Sequence, residues 1–269
     1  MTDISAVLSQ LDSVGPYFTV RHGGRPDPEG FRPLSDLYGT DPDATGADAA
    51  DPVGVGAYGT GAAGTGGLLG AYVGTYARRM GTDQLRVAAS TLHLALVSRL
   101  WSVAVGAAVL SGCLPDLAPE RTRVRLTGDG PLELWLPVPE LAPGQPQPGH
   151  EAAAVRASVA LPHLYPLHAA LRARFGVSPH TLRGNAASAL VGAVRVLNGR
   201  RPGTETRATA LAAGVLAGEP LADSGDFIVE EGLGFAFLRN SCCLYYRAPG
   251  GSLCGDCVLR HPRRDRPGP

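Results

Sequence analysis

The chain contains no lysine: all 24 of its basic residues are arginine. That excludes Schiff-base catalysis, which needs a lysine amine, and the lysine of a phosphate-binding P-loop. An excess of charge of one sign is also lacking, since 24 acidic residues balance the arginines. A neutral chain argues against nucleic acid as a partner. Charged residues make up 18% and hydrophobic ones 44%, a globular composition with enough apolar side chains for a sizeable core. The N-terminus has neither a basic region nor a long apolar run, so no signal peptide is expected. The most apolar stretch, 92–114, carries His93 and Arg99, and its charge-free remainder from Leu100 is about 15 residues, short of the ~20 that a span requires. The expectation is a buried helix and no membrane span, in a cytoplasmic protein that is monomeric.

The pattern along the chain predicts a mainly α fold with a small β element. Residues 3–13 have helical spacing, with Ile4, Val7, Leu8 and Leu11 on one face. From about residue 26 the chain becomes rich in Pro, Gly, Asp and Ala, and 40–67 reads as a flexible loop. A long apolar helix is predicted over 82–110, interrupted near Gly106. Alternation on both sides of a Gly-Asp-Gly turn predicts a β-hairpin at about 122–137. Three helical segments follow, at about 151–175 with a break or bend at Pro162 and Pro166, at 179–197, and at 204–217. The middle one has Ser178 placed as N-cap, Pro179 as first residue and Gly199 just past its end. Residues 1–238 form the helical body in this reading, and 239–269 a separate C-terminal segment with a basic tail.

Several motifs carry little. Gly54, Gly56 and Gly59, and again Gly59, Gly61 and Gly64, match the spacing of the dinucleotide fingerprint, but no hydrophobic strand precedes them to aim the loop. His163 and His168 are five apart and do not share a helix face as a metal pair would. They read as core or solvated histidines. No serine sits in a G-x-S-x-G elbow. Cys113 reads as a small buried apolar residue at a helix end. Arg99, in the middle of an apolar helix, reads either as a structural arginine or as an anion contact.

The remaining cysteines are of another grade. Cys242 and Cys243 are adjacent; ten residues later Cys254 and Cys257 form a C-x-x-C pair. In a reducing compartment four clustered thiols bind metal more often than they form disulfides. Gly255 lets the C-x-x-C backbone curl around a metal. Adjacent side chains on an extended backbone point to opposite faces, so neighbouring cysteines chelate one small ion poorly. A cluster with two iron positions relaxes that demand, whereas zinc favours two C-x-x-C knuckles. The spacing favours iron–sulfur over zinc.

This C-C-x10-C-x2-C arrangement resembles the cluster motif of the FhuF-like siderophore-iron reductases. The segments 98–102 (Ser98 to Ser102, around Arg99), 163–167 and 183–189 look like that family's helical body, with Arg183 standing where its pattern has tryptophan. The resemblance implies a 2Fe-2S cluster held by Cys242, Cys243, Cys254 and Cys257. It also implies one-electron reduction of a ferric siderophore, of hydroxamate type, in the cytoplasm. With no flavin or nicotinamide site visible in the sequence, electrons would come from an external donor such as a ferredoxin or an NAD(P)H-dependent reductase. Among the arginines near the cysteines (Arg239, Arg247, Arg260 and the tail Arg263, Arg264 and Arg266), Arg247 is expected to tune the potential, because positive charge stabilises the reduced cluster. Arg99 and Asn185 are candidates to line a shallow substrate pocket facing the cysteines. Two rivals stand beside this reading: a structural-zinc scaffold protein, and an iron–sulfur electron carrier or sensor.

Overall fold

The computed structural model describes residues 3–24, 29–39, 66–127, 130–230 and 234–260. The glycine motifs at 54–64, nearly all of the predicted loop at 40–67, the Gly128 and Asp129 of the hairpin turn, and the tail arginines lie outside them.

The first helix, α1 (Ile4–Asp12), forms where the spacing predicts it. Asp3 caps it by accepting from the Ser5 N–H at 2.9 Å, and Ile4, Val7, Leu8 and Leu11 are buried. Strands β1 (Arg21–His22) and β2 (Arg32–Pro33) are short, and a 3-10 turn at Leu34–Leu37 buries both of its leucines. Next comes α2 (Gly67–Arg79), which the sequence reading missed although Leu69, Tyr72, Val73 and Tyr76 recur at helical spacing.

The central element is α3 (Leu85–Ser111), apolar on all sides and therefore buried all round. It is long and apolar enough to cross a membrane, with a mean hydropathy of 1.7, yet 72% of that window is buried inside the fold. The expected interruption near Gly106 is absent. A Cβ there would lie 2.7 Å from Leu11 and 2.9 Å from Phe18, so this glycine admits α1 and the loop after it against an unbroken helix.

The predicted hairpin is β3 (Arg123–Leu126) with β4 (Leu132–Leu136), and it belongs to a larger sheet of order β1-β4-β3-β2. β1 pairs parallel to β4, Arg21 opposite Trp135. Leu132, Leu134 and Leu136 face the core, while Glu133 between them pairs with Arg21 and Arg125.

The expected bend near Pro162 and Pro166 is a single π-helical turn, Ala160–Leu164, between α4 (Glu151–Val159) and α5 (Tyr165–Phe175). α6 (Pro179–Arg200) starts as predicted, Ser178 Oγ accepting from the Thr181 N–H at 3.2 Å. It runs through Gly199 to Arg200 and is capped by Arg201, whose backbone (φ −134°, ψ 79°) has left the helical region, which a residue before Pro202 disfavours. α7 (Glu205–Leu216) follows.

A second hairpin was not anticipated: β5 (Gly225–Glu230) and β6 (Gly234–Arg239), antiparallel. Phe237 of β6 is buried against Ala187 and Val191 of α6. α6 thus has two working faces. Its alanine-rich side packs along α3, and another carries the hairpin that delivers the chain to the cysteines.

Candidate metal centre

The cysteine loop begins where β6 ends and is tied down at several points. The Arg239 N–H donates to Asp256 C=O at 3.1 Å, bringing the far end of the loop back onto the strand. Asn240 donates from its backbone to Ser224 C=O and from its side chain to Asp223 C=O. Ser241 Oγ donates to His180 C=O in the first turn of α6 at 2.7 Å. Cys243 C=O accepts from Ser90 Oγ of α3 at 2.7 Å. The backbone then turns sharply, with Leu244 at φ 70° and its N–H aimed at Cys242 Sγ, 3.3 Å away. A 3-10 turn at Tyr245–Arg247 follows. The C-x-x-C segment closes in a tight turn, Cys257 N–H to Cys254 C=O.

All five cysteines are free thiols. Cys113 is buried, as expected for a small apolar residue, and burial raises its thiol pKa. Cys243 and Cys257 are buried; Cys242 and Cys254 are half-buried. Cys243 Sγ and Cys254 Sγ lie 3.9 Å apart, near the roughly 3.8 Å that two sulfurs take on one tetrahedral metal with ~2.3 Å bonds. The hydrogen bond from Cys254 pulls Cys243 down to about 6, and the same bond together with burial pushes Cys254 up. Cys242 is raised, chiefly by burial. Among the described residues, no three His, Cys, Asp or Glu side chains gather as they would around a single ion.

Beneath the loop lies a buried polar network. Arg239 is 1% exposed, and its guanidinium donates to Asn185 Oδ1 at 2.6 Å and to Thr181 C=O at 3.4 Å. Asn185 Nδ2 in turn donates to Ser90 Oγ and Ser90 C=O, at 2.9 and 3.0 Å. One side chain of α6 therefore grips both the arginine under the cysteines and the serine that holds Cys243. Gly184 makes room for this, because a Cβ there would lie 2.3 Å from Ser241 Oγ and 3.0 Å from the Arg239 guanidinium.

Beside the cysteines is a pocket of about 300 Å³ between α3 and α6. Ser98 and Ser102 line it from α3, Ser188 and Gly192 from α6, and Cys243 and Cys254 wall one end, with Arg239 alongside.

The sequence-based candidates fall in different places. Asn185 is fully buried in the network just described and lies behind the pocket wall. Arg99 clasps the loop after α1, donating to Pro16 C=O and to Thr19 C=O; it does not line the pocket beside the cysteines. One residue along α3 is a rotation of about 100°, which is why neighbouring Ser98 faces the pocket and Arg99 does not. Arg247 is exposed, lies over the Tyr246 ring and donates to its hydroxyl at 3.3 Å. It is within electrostatic reach of Cys242, but solvent screens it. The residue passed over is Arg239. Its signal was strand parity: on β6 it shares a face with the buried Phe237 two residues earlier. His163 and His168 are core histidines, bonded to Tyr38 Oη and to His93 Nε2 respectively.

Residues 239–259 match the FhuF 2Fe-2S C-terminal domain, a span that opens on Arg239 and contains all four clustered cysteines. No curated protein matches the chain. The cysteine loop after β6 thus falls within a segment similar to the 2Fe-2S domain of the FhuF family, which supports a 2Fe-2S cluster as the cofactor.

Proposed function

We propose that this protein is a cytoplasmic ferric-siderophore reductase whose 2Fe-2S cluster is held by Cys242, Cys243, Cys254 and Cys257. The observation that carries the reading is the pocket between α3 and α6, which ends on Cys243 and Cys254. Four thiols on one tethered loop, two of them at metal-sharing distance, are a donor set suited to iron–sulfur. When bound, a 2Fe-2S cluster supplies one electron at a time.

The chain's own residues do the rest. Ser98, Ser102 and Ser188 offer hydroxyls to the oxygen-rich edge of a hydroxamate complex, and the apolar wall between them excludes water. One electron converts Fe(III) to Fe(II), leaving the siderophore itself unchanged. The less charged ion is held far more weakly by hard oxygen donors, so reduction releases it. The electron is restored by a separate donor, a ferredoxin or an NAD(P)H-dependent reductase. Tyr245, Tyr246 and Leu259, exposed beside Arg247 and Arg260 outside the pocket, suit an acidic protein in that role.

The test is a single-turnover reaction without oxygen. Protein reduced with dithionite and freed of excess reductant is mixed with a ferric trihydroxamate and an Fe(II) chelator. One Fe(II) per reduced cluster is expected; a cluster that stays reduced would leave a carrier or sensor instead. Gly192 provides the matching variant, since a Cβ there meets nothing within 4 Å and points to free space. Gly192→Leu should fill the pocket and slow the reaction at least tenfold while the visible spectrum is unchanged. An unchanged rate would remove the pocket from the mechanism.

A further inference from the structure

We propose that Arg239 is a positioning residue for the cluster: a fixed buried cation, locked by Asn185, that raises the reduction potential. The inference rests on the cysteine ligation proposed above but not on the siderophore chemistry.

Four observations converge. Arg239 is the last residue of β6 and its side chain is buried under the loop, alongside Cys243 and Cys254 in the wall of the same pocket. Its hydrogen bonds to Asn185 Oδ1 and Thr181 C=O fix the guanidinium. Gly184 lets that guanidinium lie flat against α6, where any side chain would displace it. Asn185 also holds Ser90, which holds the Cys243 carbonyl, so the cation and the cysteine loop are registered through one amide.

Reduction adds one negative charge to the cluster. A cation held nearby, out of water, stabilises that form more than an exposed one does, because solvent and salt screen the latter. The protein sets cluster potential through net charge, hydrogen bonding and exposure. Arg239 supplies buried charge; Arg247, on the surface, supplies little.

The experiment is a redox titration of the intact cluster-loaded protein, followed by visible absorption, with iron and sulfide assayed on every sample. At the wild-type midpoint, Arg239→Gln is expected to lower the ratio of reduced to oxidised cluster at least tenfold, about 59 mV for a one-electron couple. Arg239→Lys, which keeps the charge, should stay within threefold of wild type, and Arg247→Gln within twofold. An Arg239→Gln ratio within twofold of wild type would overturn the proposal, as would an equal fall in Arg247→Gln. If the glutamine variant fails to assemble a cluster and the lysine variant succeeds, charge is required and the proposal stands. Failure of both would make Arg239 a purely structural fit and overturn it. Wild-type protein without two irons and two sulfides would instead sink the ligation reading, which the assay separates from the potential.

Discussion

Two glycines eight residues apart on α6 behave in opposite ways, and only their surroundings explain it. Gly192 faces empty pocket, so a side chain there costs nothing in packing and removes the backbone freedom that makes glycine a poor helix former. Gly184 is pressed against Ser241 and Arg239. Gly184→Ala is expected to cost about 1–3 kcal/mol, typical of overpacking, and to shorten the lifetime of the bound cluster, since the displaced groups anchor the cysteine loop. Urea denaturation and the rate of bleaching in air check both effects; wild-type values for the two would show that the loop tolerates the shift. At this scale the four cysteines were legible in the sequence because their spacing is itself the signal. Arg99 stood out as a charge in an apolar helix and Asn185 was singled out as a pocket-lining candidate, yet their tasks were not readable. Each serves a backbone or side-chain partner at least 54 positions away in the chain, and no local pattern encodes such a partner.

At the level of elements, α6 and the β5–β6 hairpin together aim the cysteine loop. The alternation of Phe235, Phe237 and Arg239 has one buried outlet, the small cluster of Phe237 with Ala187 and Val191. Phe237→Ala should cost roughly 3 kcal/mol, the low end for truncating a buried phenylalanine. It should also loosen the hairpin more than the helices. Amide exchange would then accelerate over 225–239 while α3 keeps its protection; uniform acceleration would mean the hairpin is integral to the main core. α1 was readable from the helical spacing of its apolar residues, and α6 from its Ser178 start signal. The hairpin was missed although Pro220 and Gly225 punctuate the chain at its start, because no Asn-Gly or Asp-Gly pair stands between its two six-residue strands. The continuity of α3 through Gly106 was also misread, because glycine signals both helix ends and close helix contacts, and only the neighbours distinguish the two.

For the molecule as a whole, one apolar core runs from Ile4 to Leu221, with His93 and His163 fully buried and His168 half-buried beside His93. Burial holds His163 and His168 at about 4 and drives His93, next to His168, well below the ordinary 6.5. Their folded values lie below the unfolded one, so the unfolded chain binds protons first as pH falls. The stability is fully present above about 6.5 and is lost progressively from there through pH 4. For a group at about 4, the loss by pH 5 is about 2 kcal/mol per histidine. Urea midpoints taken between pH 7.5 and 5 should fall accordingly; a flat profile would mean these imidazoles titrate normally.

The sequence alone pointed to an iron–sulfur centre and to a mainly α fold, because both are written in short-range pattern. Cysteine spacing selects a metal chemistry through the reach of a short loop, and helical periodicity selects a helix through backbone geometry. The tertiary structure alone decided which arginine stands under the cysteines, which glycine is a cradle and which is open space, and that a pocket ends on Cys243 and Cys254. Those depend on contacts between α3, α6 and β6, segments separated by up to about 150 positions in the chain and brought together by burial of apolar surface.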